Sequence, residues 1–339
     1  MPKTMSRELR QEWASLLVAP KILSLDSLRK WAPLLVLVLL LAILTVLSPN
    51  FLSVQNFARM GIAAAPALLV AIGVTFIIIM GSIDLSMEGT VAVCAVVFAF
   101  ALNWLGGSVA GPGLLAIPLC LLVGAILGLV NGLVHVKLRI PSFMASLSVG
   151  FIGIGIAMVM TGGERVQIHD DLFRELLTVR FLGFPLMVYL ALLGLLAAWF
   201  IQSQTTIGRN FYAVGGGEDL AHASGLNVGR VRVIGFMIAG MFFALGAMLA
   251  VARIGIAETA SGSNLMFVAI TSVVVGGTAL AGGGGGVWNT LVGVLIVNVI
   301  NNGMIIMGLP RYIQDGVLGA IVIIAVILST DRRSIGFVK

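Results

Sequence analysis

Apolar runs, each about as long as a helix needs to be to cross a lipid bilayer, follow one another from residue 32 to the end of the chain. A membrane-spanning helix needs about 20 apolar residues, and every unpaired backbone group in lipid costs several kcal/mol. Hydrophobic residues make up 59% of the 339 residues and charged residues only 10%, against about 25% charged in soluble domains. This composition excludes a water-soluble fold. We expect an all-α integral membrane protein.

The lengths of the runs predict about ten transmembrane helices. They are expected near residues 32–48, 61–80, 86–105, 113–136, 141–161, 183–202, 231–252, 264–281, 287–307 and 311–329. The chain is thereby divided into a cytoplasmic or interfacial amino-terminal segment (1–30), a transmembrane domain (31–330) and a cytoplasmic tail (331–339). In the first segment, EWASLLVAPKIL is typical of an amphipathic helix on the membrane surface or of a poorly ordered tail. No small-residue cleavage signal follows it, so we expect no removed signal peptide.

The basic residues predict the orientation, because Lys and Arg concentrate in cytoplasmic loops. With the amino terminus inside, the cytoplasmic segments carry Lys3, Arg7, Arg10, Lys21, Arg29, Lys30, Lys137, Arg139, Arg209, Arg230, Arg232, Arg332, Arg333 and Lys339. We therefore expect both termini in the cytoplasm, and membrane orientation explains the net charge of +6 better than a nucleic-acid partner does. The stretch MGSIDLSMEG (80–89) is either a loop or a break within the membrane, so a missed or extra span there stays open.

Parts of the sequence echo one another. GPGLLAIPLCLLVGAILGLVNG precedes IPSFM, while GGGVWNTLVGVLIVNVINNG precedes LPRYI, and GSIDLSMEG resembles GGTALAGGGGG. These pairs fall about five spans apart, which is suggestive of two inverted five-helix repeats with a central site where broken segments meet. Gly124, Gly128 and Gly132 recur every four residues and predict a smooth helix face for close packing, with substrate contact as the alternative.

Residues for chemistry are missing from the sequence. GxxxxGK[ST], HExxH and GxSxG are absent, the histidines are scattered, and Cys94 and Cys120 have no metal or disulfide spacing. We therefore expect no catalytic residue and no metal site. Secondary transporters usually carry ionisable groups within their spans, whereas these spans are nearly free of them apart from Asp84 and Glu88. Energy from a partner is favoured, while a stand-alone transporter or facilitator and a membrane scaffold remain alternatives.

The longest predicted cytoplasmic loop, residues 204–232, contains the segment GGGEDLAHASG. Glycines lead into it, Glu218 and Asp219 suit the positive amino-terminal end of a helix, and Gly225 suits the left-handed position after the carboxyl end. The segment therefore predicts a short helix on the cytoplasmic face. Such a helix is either an ordinary surface turn or a lever for another protein.

The same loop, GRNFYAVGGGEDLAHASGLNVGRVR, resembles the cytoplasmic segment of permeases from ATP-binding cassette (ABC) importers of the ribose and monosaccharide type. The resemblance extends to MGSIDLSMEG, to VVVGGTALAGGGGG and to NGLVHVKLRIPSFMASLS, each similar to a segment of that family. The four matches together span residues from about 60 to 330. The chain is therefore similar to the membrane permease subunits of the branched-chain amino acid/ribose permease superfamily.

This resemblance implies a transport assembly in the bacterial inner membrane. Two permeases, identical or different, would form the path for a monosaccharide, with branched-chain amino acids or nucleosides as alternatives. A cytoplasmic ABC ATPase with two nucleotide-binding domains would bind ATP and Mg, the permease itself would bind no cofactor, and an extracellular or periplasmic sugar-binding protein would deliver the solute. The loop at 204–230 would couple to the ATPase through Gly217, Glu218, Asp219, Leu220, Ala221, His222, Ala223, Ser224, Gly225 and Leu226.

A few polar residues are candidates for the substrate pathway. Asp84 and Ser86 follow a glycine and are positioned either to cap the next helix, with Glu88 in its first turn, or to contact substrate, or to couple protons. The set Asn298, Asn301 and Asn302 shares one helical face, which is suited to helix–helix bonds or to polar lining of the pathway. Thr278 and Phe143 are weaker candidates on the same reasoning.

Overall fold

The computed structural model of the protein describes residues 25–48 and 51–329, and it is built almost entirely from helices. In chain order these are α1 (Leu25–Leu47), α2 (Val54–Ile79), α3 (Met87–Trp104), α4 (Ala116–Lys137), α5 (Ser142–Thr161), α6 (Asp171–Thr178), α7 (Leu186–Gln204), α8 (Thr206–Gly216), α9 (Glu218–Ala223), α10 (Val228–Ile254), α11 (Ser263–Val275), α12 (Val287–Ile306) and α13 (Arg311–Ser329). Short 3-10 helices occupy Pro112–Leu115 and Thr259–Gly262. The expected amphipathic segment EWASLLVAPKIL and the expected cytoplasmic tail lie outside the described residues.

Within the described residues, 7 helices are long and apolar enough to cross a membrane. They are α2, α3, α4 with the 3-10 turn before it, α5, α7, α10 and α12, and shorter apolar helices cover Trp31–Leu47 and Thr259–Val275. The predicted class, an all-α membrane protein, is confirmed. The innermost helices are α2 and α3, whose most apolar windows are 83% and 72% buried inside the molecule.

Two predicted helix boundaries differ from the structure, and local chemistry explains each difference. The span predicted from residue 61 begins at Val54, because the Ser53 hydroxyl accepts a hydrogen bond from the Asn56 backbone N–H at 3.2 Å and caps the helix there. The span predicted to reach residue 281 ends at Val275, because Gly277 turns the chain with a φ of 91°.

The segment after α2 is a break rather than an additional helix. Gly81 has a φ of 73°, and the chain then continues in non-helical conformation until α3 begins at Met87. The hydroxyl of Ser142 accepts from the Ile83 N–H and that of Ser146 from the Leu85 N–H, both at 3.0 Å. One helical turn of four residues rises about 6 Å, which equals two residues of extended chain, so the two serines match alternate amides of the break. Backbone groups that a helix would otherwise satisfy are thus paired.

A second break follows α10 and meets the first. Gly255 also has a φ of 73°, and the chain leads through β4 (Ile256–Ala257) and a 3-10 helix to α11. A Cβ atom on Gly262 would overlap the backbone of Glu88, in the first turn of α3. The segment after Gly255 therefore shares its leading glycine conformation with the segment after Gly81, and the two breaks touch backbone to backbone.

Glycines hold the central helices close together. Cβ atoms on Gly124 and Gly128 of α4 would overlap the backbone of α10 at Gly240 and Phe236, and a Cβ on Gly132 would lie 3.0 Å from the Val233 Cα. The packing face predicted from the spacing of these three glycines is confirmed. Because no side chains intervene, α4 and α10 make close backbone contact along several turns.

At the end of the bundle that holds Thr161, a small cap connects α5, α7 and α10. Strand β1 (Val166–Gln167) pairs antiparallel with β4, and β2 (Arg180–Phe181) pairs with β3 (Phe184–Pro185). Asp170 caps α6 by accepting from the Leu172 N–H at 3.1 Å, and its other oxygen accepts from the Val109 N–H at 2.7 Å. The carboxylate thus joins the loop before α4 to the loop before α7.

Candidate translocation path and coupling surface

The short helix predicted in the long loop exists as α9, Glu218–Ala223. Gly217 precedes it, and the Leu226 N–H donates to the Ala221 carbonyl at 3.1 Å as the helix ends. Gly225 takes the predicted left-handed conformation with a φ of 84°. The sequence therefore predicted both ends of this element correctly.

One face of α9 is presented to solvent. Leu220 is 74% exposed, although a leucine gains little by facing water, while Ala221 is buried against the molecule. The remaining solvent-facing positions of the element are Asp219, His222, Ala223, Ser224 and Gly225. Leu226, by contrast, packs partly buried against the core and is not free to enter a partner.

Glu218 is held by the chain itself. Its carboxylate forms two hydrogen bonds with the Arg232 guanidinium, at 2.7 Å and 3.1 Å. The arginine is 20% exposed and belongs to the second turn of α10. The pair therefore fixes α9 to α10, and of the two acidic residues at the start of α9 only Asp219 is without an ion pair in the described part of the chain.

A side-chain network fixes α8 to the start of α12. The Tyr212 hydroxyl donates to the Gly285 carbonyl at 2.6 Å and accepts from the Gln202 amide nitrogen at 2.8 Å. The Gln202 amide oxygen in turn accepts from the Val287 N–H, the first of α12, at 2.8 Å. Burial raises the pKa of the Tyr212 phenol above its ordinary value, which keeps the donating proton in place. Sequence reasoning missed Gln202 and Tyr212, although a tyrosine stands at this position of the resemblance pattern.

Below that network, three backbones meet without side chains between them. The Gly283 N–H donates to the Ile79 carbonyl, in the last turn of α2, at 2.9 Å. A Cβ on Gly215 of α8 would overlap that same carbonyl, and a Cβ on Gly282 would lie 2.9 Å from the Gly81 Cα. We call Gly81, Gly215, Gly282 and Gly283 the glycine junction. It joins the coupling loop to the end of α2 and to the loop before α12.

A buried polar cluster fixes the first break. Asp84, 2% exposed, accepts from the Ser86 N–H at 2.7 Å and from the Asn131 amide nitrogen at 3.2 Å. The same nitrogen donates to the Ser86 hydroxyl at 3.1 Å. Ser86 occupies the N-cap position of α3, but its hydroxyl accepts from Asn131 and from none of the free N–H groups of the helix. Asp84 therefore braces the break against α4, and Asn131, in the Asn-Gly pair of the sequence echo, is the partner that sequence reasoning missed.

The other pathway candidates are spread over different elements. Phe143 is 43% exposed in the first turn of α5, and Thr278 is fully buried with its hydroxyl unpaired in the described residues. Asn302 of α12 forms a reciprocal amide pair with Asn56 of α2, at 2.9 Å and 3.0 Å. Asn301 is half-buried, and Asn298 borders an apolar cavity. The structure brings Asp84 and Ser86 together, and it does not join them to the asparagines.

These features define a class of protein. Broken apolar helices pack through glycine, a polar cluster braces the break, and a helix with an exposed leucine projects from the loop that contacts it. Groups of three His, Cys, Asp or Glu that could hold a metal do not occur among the described residues. The class is a multi-pass membrane permease.

Comparison with known proteins identifies the family. The family model described as branched-chain amino acid transport system / permease component matches residues 56–326. The chain belongs to this permease family, and the resemblance predicted from the four sequence segments is confirmed.

Three relatives are similar over most of the chain. The ribose import permease of Escherichia coli K12 is 33% identical over 301 residues, which are 88% of this chain and 92% of that protein. The galactose/methyl galactoside import permease of Haemophilus influenzae is 34% identical over 308 residues, 87% and 92% of the two chains. An autoinducer 2 import system permease of Klebsiella pneumoniae is 31% identical over 299 residues, 88% and 85% of the two chains. No solved structure matches significantly.

Proposed function

We propose that this chain is the membrane permease subunit of an ABC importer that moves a monosaccharide or a similar small polyol across the bacterial inner membrane. The observation that carries the proposal is the exposed helix α9, attached through α8 and the glycine junction to the broken end of α2. The relatives named for ribose and galactose import favour a sugar, while the relative named for autoinducer 2 import widens the class to other small polar solutes. A permease for branched-chain amino acids or nucleosides is the second candidate, because the matching family model is described by branched-chain amino acid transport.

The proposed topology has ten spans with both termini in the cytoplasm. The helices of the 7 clear spans alternate in direction along the chain if α1, α11 and α13 cross as well. In that arrangement α9 and the glycine junction face the cytoplasm, and the β1–β4 and β2–β3 pairs face the outside. Lys and Arg then concentrate on the inner side, as the positive-inside rule requires.

The proposed mechanism transmits force from the cytoplasm to the break. A partner ATPase with two nucleotide-binding domains binds ATP and Mg and closes on them, and the permease itself carries no cofactor. The closing movement displaces α9 through contacts with Leu220 and Asp219, which the chain leaves exposed. Because α8 touches Ile79 and Gly283 directly, its movement reaches α2 and α12 together.

The proposed path for the solute passes the first break and is formed with a second permease copy, while a binding protein outside delivers the solute. Asp84 and Ser86 hold the break in shape, and Phe143 and Thr278 are candidate contacts near its cytoplasmic end. Asn301 and Asn302 remain candidate lining groups in the same proposal. Few hydrogen-bonding groups bind a polyol tightly here, which suits a conduit that must release its solute.

Uptake into vesicles tests the proposal. The chain is reconstituted with its ATPase and binding protein, and entry of labelled ribose and galactose is measured with and without ATP inside. We expect accumulation against a gradient only when ATP and the ATPase are both present. Equilibration by the chain alone would establish a facilitator instead. Uptake unchanged by removal of residues 216–226 would contradict the coupling role of this loop.

A further inference from the structure

An elongated apolar cavity of about 240 Å³ lies between α1, α2, α7 and α12. On α2 its wall extends from Phe57 to Leu68, a rise of about 16 Å along the helix axis. Small residues, among them Gly61, Ala64 and Ala65, leave the space open on this side. The cavity is therefore long, narrow and parallel to the helices.

The cavity opens sideways towards the bilayer. Leu192 of α7 and Leu295 of α12 both line it, and they are 38% and 37% exposed. Residues that are buried in a closed void have no such exposure. The hydrocarbon of the surrounding membrane thus has access to the cavity between these two helices.

One wall residue is polar and unsatisfied. Asn298 lines the cavity, is 7% exposed, and forms no side-chain hydrogen bond with any described residue. Its neighbour one turn along α12, Asn302, is fully engaged with Asn56. An amide buried in apolar surroundings without a partner is costly, so the position indicates that something else supplies the bond.

The shape and chemistry of the cavity restrict its occupant. A buried water needs two to four polar partners and a polyol needs more, whereas the wall offers a single amide. A hydrocarbon chain suits the rest of the wall. The ligand therefore combines an apolar chain with a hydrogen-bond acceptor near one end.

Positive charge stands at the end of the cavity that Asn298 approaches. Arg59, beside the wall residue Met60, is exposed, and exposed Arg180 pairs in the β2–β3 hairpin with Pro185, next to the wall residue Phe184. Neither arginine has an ion pair within residues 51–329. Exposed aromatic groups beside them are typical of the membrane–water interface. This end is complementary to the phosphate of a lipid.

We propose that the cavity is a phospholipid site. One acyl chain fills the space along α2, the amide nitrogen of Asn298 donates to an ester carbonyl, and Arg59 and Arg180 attract the phosphate. The level of the amide fits this assignment, because Asn298 lies one helical turn, about 6 Å, deeper than the Asn302–Asn56 pair in the first turn of α2. The bound lipid would hold α1, α2, α7 and α12 at a fixed spacing.

Lipid retention and photo-crosslinking test the proposal. The full-length chain is reconstituted in phosphatidylethanolamine vesicles containing phosphatidylglycerol with a diazirine in one acyl chain, then re-extracted and measured by native mass spectrometry. We expect one retained phosphatidylglycerol per chain, crosslinked within residues 57–68 or 291–299. Ala64→Phe, which fills the cavity, should reduce retention at least fivefold, and Ala63→Phe, on the same helix but outside the wall, should retain the lipid.

Further variants separate the roles of the groups. Asn298→Leu should weaken retention of diacyl lipid while leaving the monomer folded, and Arg59→Ala with Arg180→Ala should abolish the preference for phosphatidylglycerol over phosphatidylethanolamine. Should Ala64→Phe fail to fold, as judged by gel filtration, Leu295→Trp at the cavity mouth replaces it. Equal retention by Ala64→Phe and Ala63→Phe would overturn the proposal. A cavity protected from crosslinking only in a dimer would also overturn it, because a second copy of the chain would then be the occupant.

Discussion

Replacing Tyr212 by phenylalanine removes one oxygen and interrupts the network between α8 and α12. The lost hydroxyl donates to the Gly285 carbonyl at 2.6 Å and accepts from Gln202 at 2.8 Å, so two hydrogen bonds disappear together. A hydrogen bond contributes about 0.5–1.5 kcal/mol net, and water reaches this half-buried site to replace part of the loss, which leaves about 1–2 kcal/mol. Since 1–2 kcal/mol corresponds to a factor of about 5–30 in an equilibrium, the linked state of α8 and α12 should be depopulated to that extent.

The measurable quantity is the number of solute molecules transported per ATP hydrolysed. In vesicles that contain the assembled importer, Tyr212→Phe should lower this ratio about 5- to 30-fold, in proportion to the lost linkage. ATP hydrolysis itself should continue, because α9 and its exposed Leu220 are unchanged. Tyr189→Phe is the matched control: its hydroxyl also donates at 2.6 Å to a carbonyl, that of Phe181, but at the opposite end of the bundle.

Two outcomes would refute this reasoning. A Tyr212→Phe importer with the unmodified transport ratio would mean that the network does not carry force. An equal loss in Tyr189→Phe would mean that general destabilisation, and not the α8–α12 link, produces the effect. A double variant with Gln202→Leu sharpens the test, since removing both partners of one bond should cost less than the sum of the single changes.

Three further predictions address the coupling surface, the junction and the break. Leu220→Glu should reduce co-purification of the ATPase about tenfold, because a charge replaces an exposed apolar anchor, while Leu182→Glu, equally exposed at 80% on the other end, should have no effect. Gly215→Ala should abolish uptake without loss of ATPase binding, since its Cβ overlaps the Ile79 carbonyl; Gly216→Ala, which has open space, should transport normally. Asp84→Ala should destabilise the solubilised protein by about 1–3 kcal/mol, seen as a lower thermal midpoint, whereas Asp84→Asn keeps an acceptor for the Ser86 N–H and should lose less.

The sequence predicted those parts of the molecule whose cause is local. Apolar run length predicted where helices lie, and the flanking glycines predicted both ends of α9. Spacing alone also predicted that Gly124, Gly128 and Gly132 face another helix. In each case the deciding residues are neighbours in the chain, so the pattern and the structure have the same period.

Features that depend on distant partners were not predictable in this way. Tyr212 meets Gly285 across 73 positions, and Asn302 meets Asn56 across 246. The spacing of the asparagines predicted a shared face, but it carried no information about which amide would find a partner and which would face a cavity. Glu218 likewise looked available for another protein until Arg232, one turn into α10, took its carboxylate.

The ion pair between Glu218 and Arg232 gives the inner surface a second line of communication. Through it, any tilt of α9 also turns α10, a rod of 27 residues and about 40 Å that reaches the far side of the bundle. Beyond its end the chain doubles back to Gly262, against the backbone of Glu88, while the glycine junction leads to Met87 from below. One push therefore arrives at the root of α3 from above and from below, as the two jaws of a pair of tongs close on the same point.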